Sequence, residues 1–468
     1  MREDRQKTFG TAPRRAVVMG ALLGLVAAAG PLVYLRGFTV DDALIIARYA
    51  ANVASGHGHR FHPSDAPSDG VTPLGFAYLL APFAAGGVLS AFFALRTLGA
   101  IAWLVAASAL GIAVARASSH PLRFGSLLLV ATSAPLGAWA MAGLETGMAT
   151  MLATLAVVLP KGPRTSLFGA FFAGLFAWLR PEALPFALVI GAGRGYELAS
   201  RHDSRPRASA HAKALFLSAL PFLLVVAVRL WAWQRPIPLS AIAKPADLVL
   251  GFRKLDAFSR FVLVAGFVHF GAVALAGGDW MPLSRLVVPV LPAFVYVTAH
   301  LLSTPKPIIP LARLGLALVG TIFVFVRVGP VAKGVLEDRL ALVESAREAL
   351  EGAERVAAVD IGWLGAATPA RIVDLAGVTD LEVAALPGGH TSKTISLTML
   401  TRREVDALVL LDPPRTVEAR LLRDPALEER FEPVWRSPPE LPVRYVIWRR
   451  KIGTAKFDTG VAGQTLRR

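Results

Sequence analysis

The sequence predicts a polytopic α-helical membrane protein with about eight to eleven transmembrane helices, followed by a small soluble α/β domain at its C-terminal end. Three observations predict it. The chain of 468 residues is 54% hydrophobic and only 18% charged, with a mean hydropathy of +0.54, which is too apolar for a soluble enzyme of this size. Long apolar stretches recur up to Val328 and then stop. The charge is divided to match: of 33 acidic residues 13 precede Pro330 and 20 follow it, whereas the 49 basic residues divide as 29 and 20. The net charge of +16 therefore belongs to the apolar part, where Lys and Arg crowd the loops of one side. That explanation of the basic balance leaves no reason to expect a nucleic-acid partner.

The first stretch, Ala16 to Leu35, follows Arg14 and Arg15 and reads as a first span with a cytoplasmic N-terminus, since no small-residue cleavage site precedes a soluble chain. Further stretches are Leu74 to Gly86, Thr97 to Ala115, Phe124 to Leu159, Leu167 to Ala192, Ala214 to Trp233, Phe261 to Ala276, Val287 to Leu302 and Leu314 to Val328. Several fall short of the ~20 residues of a perpendicular span, and Glu145 and Arg180-Pro181-Glu182 interrupt two of them, so some crossings are expected to be broken or re-entrant. The loops Arg116 to Arg123, Lys161 to Arg164 and Arg194 to Lys213 are basic and are placed in the cytoplasm, whereas Gly37 to Thr72 holds four acids against two basic residues and is placed outside. Strict alternation then lacks one crossing between Pro236 and Gly277: either Ala243 to Arg260 contains a re-entrant piece or one orientation is reversed.

The transmembrane domain is assigned to residues 1–329 and an extracytoplasmic domain to 330–468. In the latter, Gly334 to Arg355 has helical periodicity, and Val356 to Val359, Ala407 to Leu411 and Tyr445 to Trp448 read as strands of an α/β module. The tail after Gly453 reads as disordered. The chain has no cysteine, which excludes disulfides, thiolate catalysis and Cys-ligated zinc.

Chemistry concentrates in the first loop, 37–72. Asp41 and Asp42 are followed by Arg48 and Asn52, four apart on one helical face, and by Gly56-His57-Gly58. One account makes Asp41 the N-cap of a short interfacial helix that Gly56 ends. The other makes the carboxylates catalytic: a group transfer to a hydroxyl needs a base to take the proton as the oxygen attacks. Glu145, Arg180, Glu182 and Asp279 are charges pressed between apolar runs and point to a polar cavity, with Arg285 a partner for Asp279 and Arg180 one for Glu182. A phosphate leaving group needs fixed positive charge, for which Arg48, Arg60, Lys244 and Arg285 are the candidates. His57, His59 and His62 are a weak signal for a divalent cation, and no cofactor is otherwise indicated. Gly388 to Lys393 lacks the spacing of a phosphate loop and reads as a turn.

In their order these pieces resemble the GT-C superfamily of membrane glycosyltransferases, most closely the branch of cell-wall arabinofuranosyltransferases that use decaprenyl-phosphoarabinose. The resemblance is carried by Asp41-Asp42 with Arg48-Tyr49-Ala50 and Asn52, Gly56-His57-Gly58, Gly70-Val71-Thr72-Pro73-Leu74, Gly143-Leu144-Glu145-Thr146, Leu179-Arg180-Pro181-Glu182, Pro236-Ile237-Pro238 with Ala243-Lys244, Gly277-Gly278-Asp279-Trp280-Met281 with Arg285, and Asp360-Ile361-Gly362 with Asp374-Leu375-Ala376-Gly377. It implies a bacterial inner-membrane enzyme that moves a sugar from a polyprenyl-phosphate donor to an extracytoplasmic glycan or protein acceptor. It further implies Asp41 or Asp42 as the general base, and a substrate cavity lined by Arg48, Asn52, His57, Thr72, Glu145, Arg180, Glu182, Lys244, Asp279, Trp280 and Arg285. The sequence departs from the family at His62-Pro63 and Asp65, where Asn, Gly and Glu are commoner, and is about one helix short between Lys244 and Gly277. Two other readings are a polytopic transporter, against which stand the absence of an internal repeat and the loop position of the acidic pair, and a non-catalytic envelope assembly protein on the same fold.

Overall fold

The computed structural model describes residues 13–68, 70–117, 121–200, 207–233, 257–275, 281, 283–302 and 308–451. The chain divides into two compact units, Met1–Leu340 and Ala341–Arg468.

The first unit is helical, and its helices run end to end between two poles. One pole, here the site end, is where Gly37, Asp42, Glu145, Arg180 and Arg285 lie. Helix α1 (Arg14–Tyr34) runs towards it, α2 (Asp42–Ala54) and the short α3 (Phe76–Leu80) lie at it, and α4 (Val88–Ala117) runs away. The chain returns through α5 (Leu128–Ala131) and α6 (Ala134–Met141), bent by 57° at the break between them. Helices α7 (Thr146–Val158), α8 (Pro163–Leu179), α9 (Leu184–Ala199) and α10 (Arg207–Trp233) then alternate in direction, and α11 (Ala257–Leu275), α12 (Leu291–Leu302) and α13 (Ile308–Ala332) do so again. Five segments, Arg14–Tyr34, Val88–Ala117, Ala208–Trp233, Ala257–Leu275 and Leu311–Leu350, are long and apolar enough to cross a membrane. The apolar stretch from Leu74 to Gly86 is not one of them: it makes only α3 and a 3-10 turn over Ala81–Phe83, and Gly87 at φ +87° turns the chain into α4.

The poles follow from contacts. A Cβ on Gly24 would stand 2.1 Å from the Ala107 carbonyl oxygen, and one on Gly111 would stand 2.0 Å from that of Gly20, so α1 and α4 touch backbone to backbone through small residues. At the end of α10, Arg229 donates to the Thr72 carbonyl (2.5 Å) and Trp233 Nε1 to that of Pro67 (3.3 Å), which fixes this helix end at the site pole. The start of α11 is elsewhere: Phe258 and Phe261 pack on Gly193 of α9, and the Arg194 guanidinium lies 4.6 Å from the centre of the Phe258 ring. Trp233 and Ala257 thus stand at opposite poles, and the segment between them, in which alternation lacked a crossing, lies outside the described residues.

The acidic residues separate between the poles. Among the described acidic residues of this unit, Asp41, Asp42, Asp65, Glu145, Glu182, Glu337 and Asp338 lie at the site end and only Glu197 at the other, where Arg14, Arg15, Arg116, Arg123, Lys161, Arg164 and Lys213 gather. Arg194 is different. It is fully buried inside α9, and its Nε and Nη2 donate to Ala156 O (3.0 and 2.8 Å), Nη2 also to Val157 O (2.9 Å) and Nη1 to Leu159 O (3.1 Å), the carbonyls that α7 leaves unpaired at its end. Glu197 balances it at 2.9 Å.

The second unit is a five-stranded mixed sheet with helices around it. Strands β1 (Arg355–Ala358), β2 (Arg371–Asp374), β3 (Ala407–Asp412), β4 (Phe431–Arg436) and β5 (Arg444–Arg450) stand in the order β2-β1-β3-β5-β4. The first three are parallel and β5 is antiparallel to both β3 and β4. Helix α14 (Val335–Leu350) precedes the sheet. Helix α15 (Ile361–Ala367) joins β1 to β2; α16 (Leu381–Ala384) and α17 (Leu397–Arg402) lie between β2 and β3, and α18 (Thr416–Leu422) and α19 (Ala426–Arg430) between β3 and β4. Alternate residues Ala357, Val373, Leu408 and Leu410 put one face of the sheet on a core with Val383, Leu400, Val417 and Leu421. The tail beyond Lys451 lies outside the described residues.

The turn after β2 is organised by Asp374, which is fully buried and accepts from the amides of Ala376 (2.8 Å), Gly377 (3.1 Å) and Thr379 (2.6 Å) and from the Thr379 hydroxyl (3.1 Å). Gly377 takes φ +76° here, and a Cβ on it would meet the Ala384 amide nitrogen at 2.6 Å. Burial pushes the Asp374 carboxyl up to about 6, against those hydrogen bonds. The folded unit thus holds a proton on Asp374 that the unfolded chain has released, and this contribution to stability is present below the ordinary Asp value and fades as pH rises through 6. Amide hydrogen exchange of β1 to β3 in the full chain should accelerate between pH 5 and 7 beyond its intrinsic pH dependence, and Asp374→Asn should flatten that excess; equal slopes in both proteins would refute it.

Candidate functional site

Helix α2 presents an apolar, buried face through Ala43, Leu44, Ile46, Ala47 and Ala50, which seats it and brings its N-terminus to the pole. Asp41 holds the N-cap position, but with helical backbone angles and no side-chain bond to the helix amides, so it does not act as a cap. Its carboxylate lies 3.8 Å from Arg339. The helix gives way at Ser55, and Gly56 at φ +78° turns the chain back.

Arg48 and Asn52 share a face of α2 and fasten this returning loop. Arg48 Nε donates to the Phe61 carbonyl (2.9 Å), and Asn52 Nδ2 donates to those of Arg60 (2.9 Å) and Phe61 (2.8 Å). Burial lowers the Arg48 pKa to about 10, which leaves it charged at neutral pH. The three loop histidines part company. His57 is exposed, His62 Nδ1 contacts the Ser64 hydroxyl at 2.9 Å, and His59 is buried among Tyr49, Tyr78 and Trp233. Burial first, and Arg229 second, lower the His59 pKa to about 4, so its ring is neutral, and both its nitrogens lack a partner among the described residues. No group of three acidic or histidine side chains converges on a metal position among the described residues.

A chain of alternating charges forms the centre of the site. Arg285 Nη1 donates to Asp42 Oδ2 at 3.1 Å and its Nη2 to Glu145 Oε1 at 3.2 Å. Arg180 Nη2 reaches the same Glu145 oxygen at 2.5 Å and the Thr146 hydroxyl at 3.3 Å, while Arg180 Nη1 lies 3.8 Å from Glu182. Exposure falls along it, from 39% for the Asp42 side chain through 12% for Arg285 to zero for Glu145. Backbone geometry makes this possible. Gly143 at φ +81° lies against Phe92, Ala43 and Arg96, which turns α6 into α7 with Glu145 facing inward. Leu283 and Ser284, at φ 62° and 53°, turn the chain so that Arg285 enters, and His269 Nε2 donates to the Leu286 carbonyl (2.8 Å) to hold that turn.

The sequence-predicted residues Asp42, Glu145, Arg180, Glu182 and Arg285 therefore meet, although they come from four separate segments. Arg48, Asn52 and Thr72 hold the loop through backbone contacts, and Lys244, Asp279 and Trp280 lie outside the described residues. Thr146 and Met281 lie in stretches that carry the resemblance but were not singled out as site residues, and Arg339 escaped the sequence reading. Met281 Sδ accepts from Arg285 at 3.3 Å; an apolar side chain at the end of its motif gives no sign of that contact. Arg339 sits in the regular helical periodicity of α14, which masks it.

Chemically, the chain is an oriented carboxylate. Three acids and two guanidiniums leave the described network at a net charge of −1, so Arg180 and Arg285 are occupied by carboxylates. Asp42 Oδ2 is held by Arg285, and its Oδ1 has no protein partner among the described residues. Glu145 Oε2, Glu182 Oε1 and Arg285 Nε are also buried without a hydrogen-bond partner among them, which leaves two acceptors and a donor for water or a polar ligand.

Residues 333–458 match the family model described as a domain of unknown function, DUF8728, which covers the C-terminal unit and less than a third of the chain. No curated protein matches the chain.

Proposed function

We propose that the chain is a multi-pass membrane glycosyltransferase of GT-C type, in which Asp42 is the general base for transfer of a sugar such as arabinofuranose from a polyprenyl-phosphate donor to an extracytoplasmic glycan or protein. The observation that carries the reading is the Asp42 carboxylate, with one oxygen fixed by Arg285 and the other without a protein partner among the described residues. In the reaction the acceptor hydroxyl attacks the anomeric carbon, its proton passes to Asp42, and the bond from that carbon to the phosphate oxygen breaks with its electron pair leaving on the polyprenyl phosphate. The guanidiniums of the charge chain orient the carboxylate. Charge stabilisation of the phosphate then falls to other cations, of which Lys244 and Arg60 are the sequence candidates. The motif resemblance of the first subsection supports the donor class. A transfer assay with purified protein and a set of polyprenyl-phosphate sugars tests it: release of polyprenyl phosphate coupled to a glycosylated acceptor supports the reading, and no turnover with any donor counts against it. The buried pair of Glu145 and Arg180 is the one feature that would also suit an ion-coupled transporter. Proton-driven uptake of solute by proteoliposomes, without transfer, would favour that alternative.

The pole where basic residues gather almost without acids is placed in the cytoplasm and the site pole outside. The position of Ser200, exposed at the end of α9, gives the check, and labelling is clean because the chain has no native cysteine. A Ser200→Cys variant should react with a membrane-impermeant maleimide only after cells are opened. Reaction in intact cells would reverse the topology and remove the site from the outer surface.

A further inference from the structure

We propose that the groove between α8 and α10, at the pole opposite the site, binds one anionic diacyl phospholipid, with its phosphate at Arg164 and an acyl chain along the groove. The proposal rests on the membrane-spanning reading of the helical unit and is independent of the transferase reading.

Helices α8 and α10 both begin at this pole and run in the same direction. They close on one another at Gly174, where a Cβ would stand 2.8 Å from the Leu217 carbonyl oxygen and 2.9 Å from that of Ser218. Towards their starts they leave a groove of about 270 Å³ lined by Arg164, Leu167, Phe168, Phe171 and Leu217. The α8 wall is a single face, since residues three, four and seven positions after Arg164 fall on its side of the helix. On the α10 wall, Lys213 stands four residues before Leu217 and thus one turn nearer the pole on the same face. Each wall is apolar within and carries an exposed cation at its outer end.

Charge selects the occupant. Neither Arg164 nor Lys213 has an ion pair among the described residues. The one described acid of this unit at this pole, Glu197, is buried and already held by Arg194 at 2.9 Å, with Lys161 at 4.0 Å. The start of α8 adds positive character, because its N-cap Gly162 has no side chain to occupy the first amides. Two cations above an apolar slot suit an anion that carries a hydrophobic tail. The depth fits as well: α8 rises ~10 Å from Arg164 to Phe171, and a headgroup region of roughly 5 to 8 Å on each side of the bilayer then places the chain below a phosphate at Arg164 against Phe171. Leu217 lies in Ala208–Trp233, a segment long and apolar enough to cross the membrane, and anionic lipids of the cytoplasmic leaflet are drawn to basic residues beside such spans. A helix of a second copy fits less well, since one turn of helix ~10 Å across fills roughly 400 Å³.

The test places the full chain in phosphatidylcholine nanodiscs doped with phosphatidylglycerol or phosphatidylcholine that carries the same photoreactive diazirine acyl chain, and maps the adducts by peptide mass spectrometry. Adducts on Phe168, Phe171 or Leu217 should be about fivefold or more stronger with the phosphatidylglycerol probe, and Arg164→Gln should bring them close to the phosphatidylcholine level, whereas Arg164→Lys should keep most of the preference. Leu217→Trp fills the slot and should remove the adducts of both probes on α8; Phe171→Trp does the same from the other wall if Leu217→Trp does not fold. Equal adducts from the two probes, no adducts in the groove, or an undiminished preference in Arg164→Gln would overturn the proposal. So would crosslinks between two copies at these residues, or displacement of the probe by polyprenyl phosphate at a lower concentration than by unlabelled phosphatidylglycerol. Adducts of either probe elsewhere along α10 report membrane insertion, so failure of the site and failure of the membrane-spanning reading are told apart in one experiment.

Discussion

Asp42→Asn is expected to lower sugar transfer by about a hundredfold to ten-thousandfold while insertion, expression and donor binding stay normal. Asparagine keeps the shape of the side chain and can still accept from Arg285 Nη1 through its carbonyl oxygen, so the charge chain can persist. What it lacks is basicity. The competing account, in which the aspartates only cap α2, predicts almost no change, because Asn caps as well as Asp and loss of a cap costs only ~1 kcal/mol. The structure already weakens that account, since Asp41 stands at the N-cap position without a capping bond. Asp41→Asn is the companion measurement: its carboxylate, 3.8 Å from Arg339, is the second candidate base, and at least one of the two variants should be nearly inactive. Near-normal turnover in both would dismiss a catalytic role for the pair.

Glu145→Leu should be the most damaging substitution for the fold of the helical unit. Its carboxylate is fully buried and shared by Arg180 at 2.5 Å and Arg285 at 3.2 Å. Removing it leaves two guanidiniums facing each other without the anion between them, and breaking a buried pair from one side typically costs about 3 to 5 kcal/mol. The thermal midpoint in detergent should drop sharply, and the protein recovered from membranes with it. The double variant Glu145→Leu with Arg180→Leu should recover part of the loss, because it removes one of the stranded charges; Arg285 keeps Asp42 as its partner. A midpoint within the error of wild type for Glu145→Leu would mean that the charge chain is solvated and not a structural element.

How much of this was readable in advance depends on the kind of signal. Apolar periodicity and loop charge gave the helical unit and its two poles, since both report burial and need no partner to be known. The residues Asp42, Glu145, Arg180, Glu182 and Arg285 stood out because each is a charge beside an apolar run, which is costly unless something compensates it. Their pairing was less legible. The sequence suggested Arg180 with Glu182, and the two do pair at 3.8 Å; Asp279, the partner suggested for Arg285, lies outside the described residues. What the sequence did not suggest is that both arginines also reach Glu145, which lies 140 positions from Arg285. Arg48 and Asn52 looked like substrate ligands because their spacing shows only a shared face; that the face meets the carbonyls of Arg60 and Phe61 depends on how the loop returns. Strands β2 and β4 were missed, the one because four residues, Arg371 to Asp374, are too few to show a period, the other because Pro433 interrupts it and a bulge shifts its register between Pro433 and Trp435.

Arg194 has a further consequence for how this chain can change. Helix α7 has 13 residues, about 20 Å of length, and stops well short of the ~30 Å hydrocarbon thickness of the bilayer proposed here. Its last carbonyls would ordinarily have to be carried to the water by more helix or by a loop dipping inward. A guanidinium lent by α9 donates to them instead, in the place where they end. The link from Leu159 to Pro163 is thereby released from that duty. Between Leu159, held by Arg194, and Gly162, which starts α8, it is a place where a tag or a short insertion should be accommodated, whereas the register of α9 against α7 is locked by one side chain.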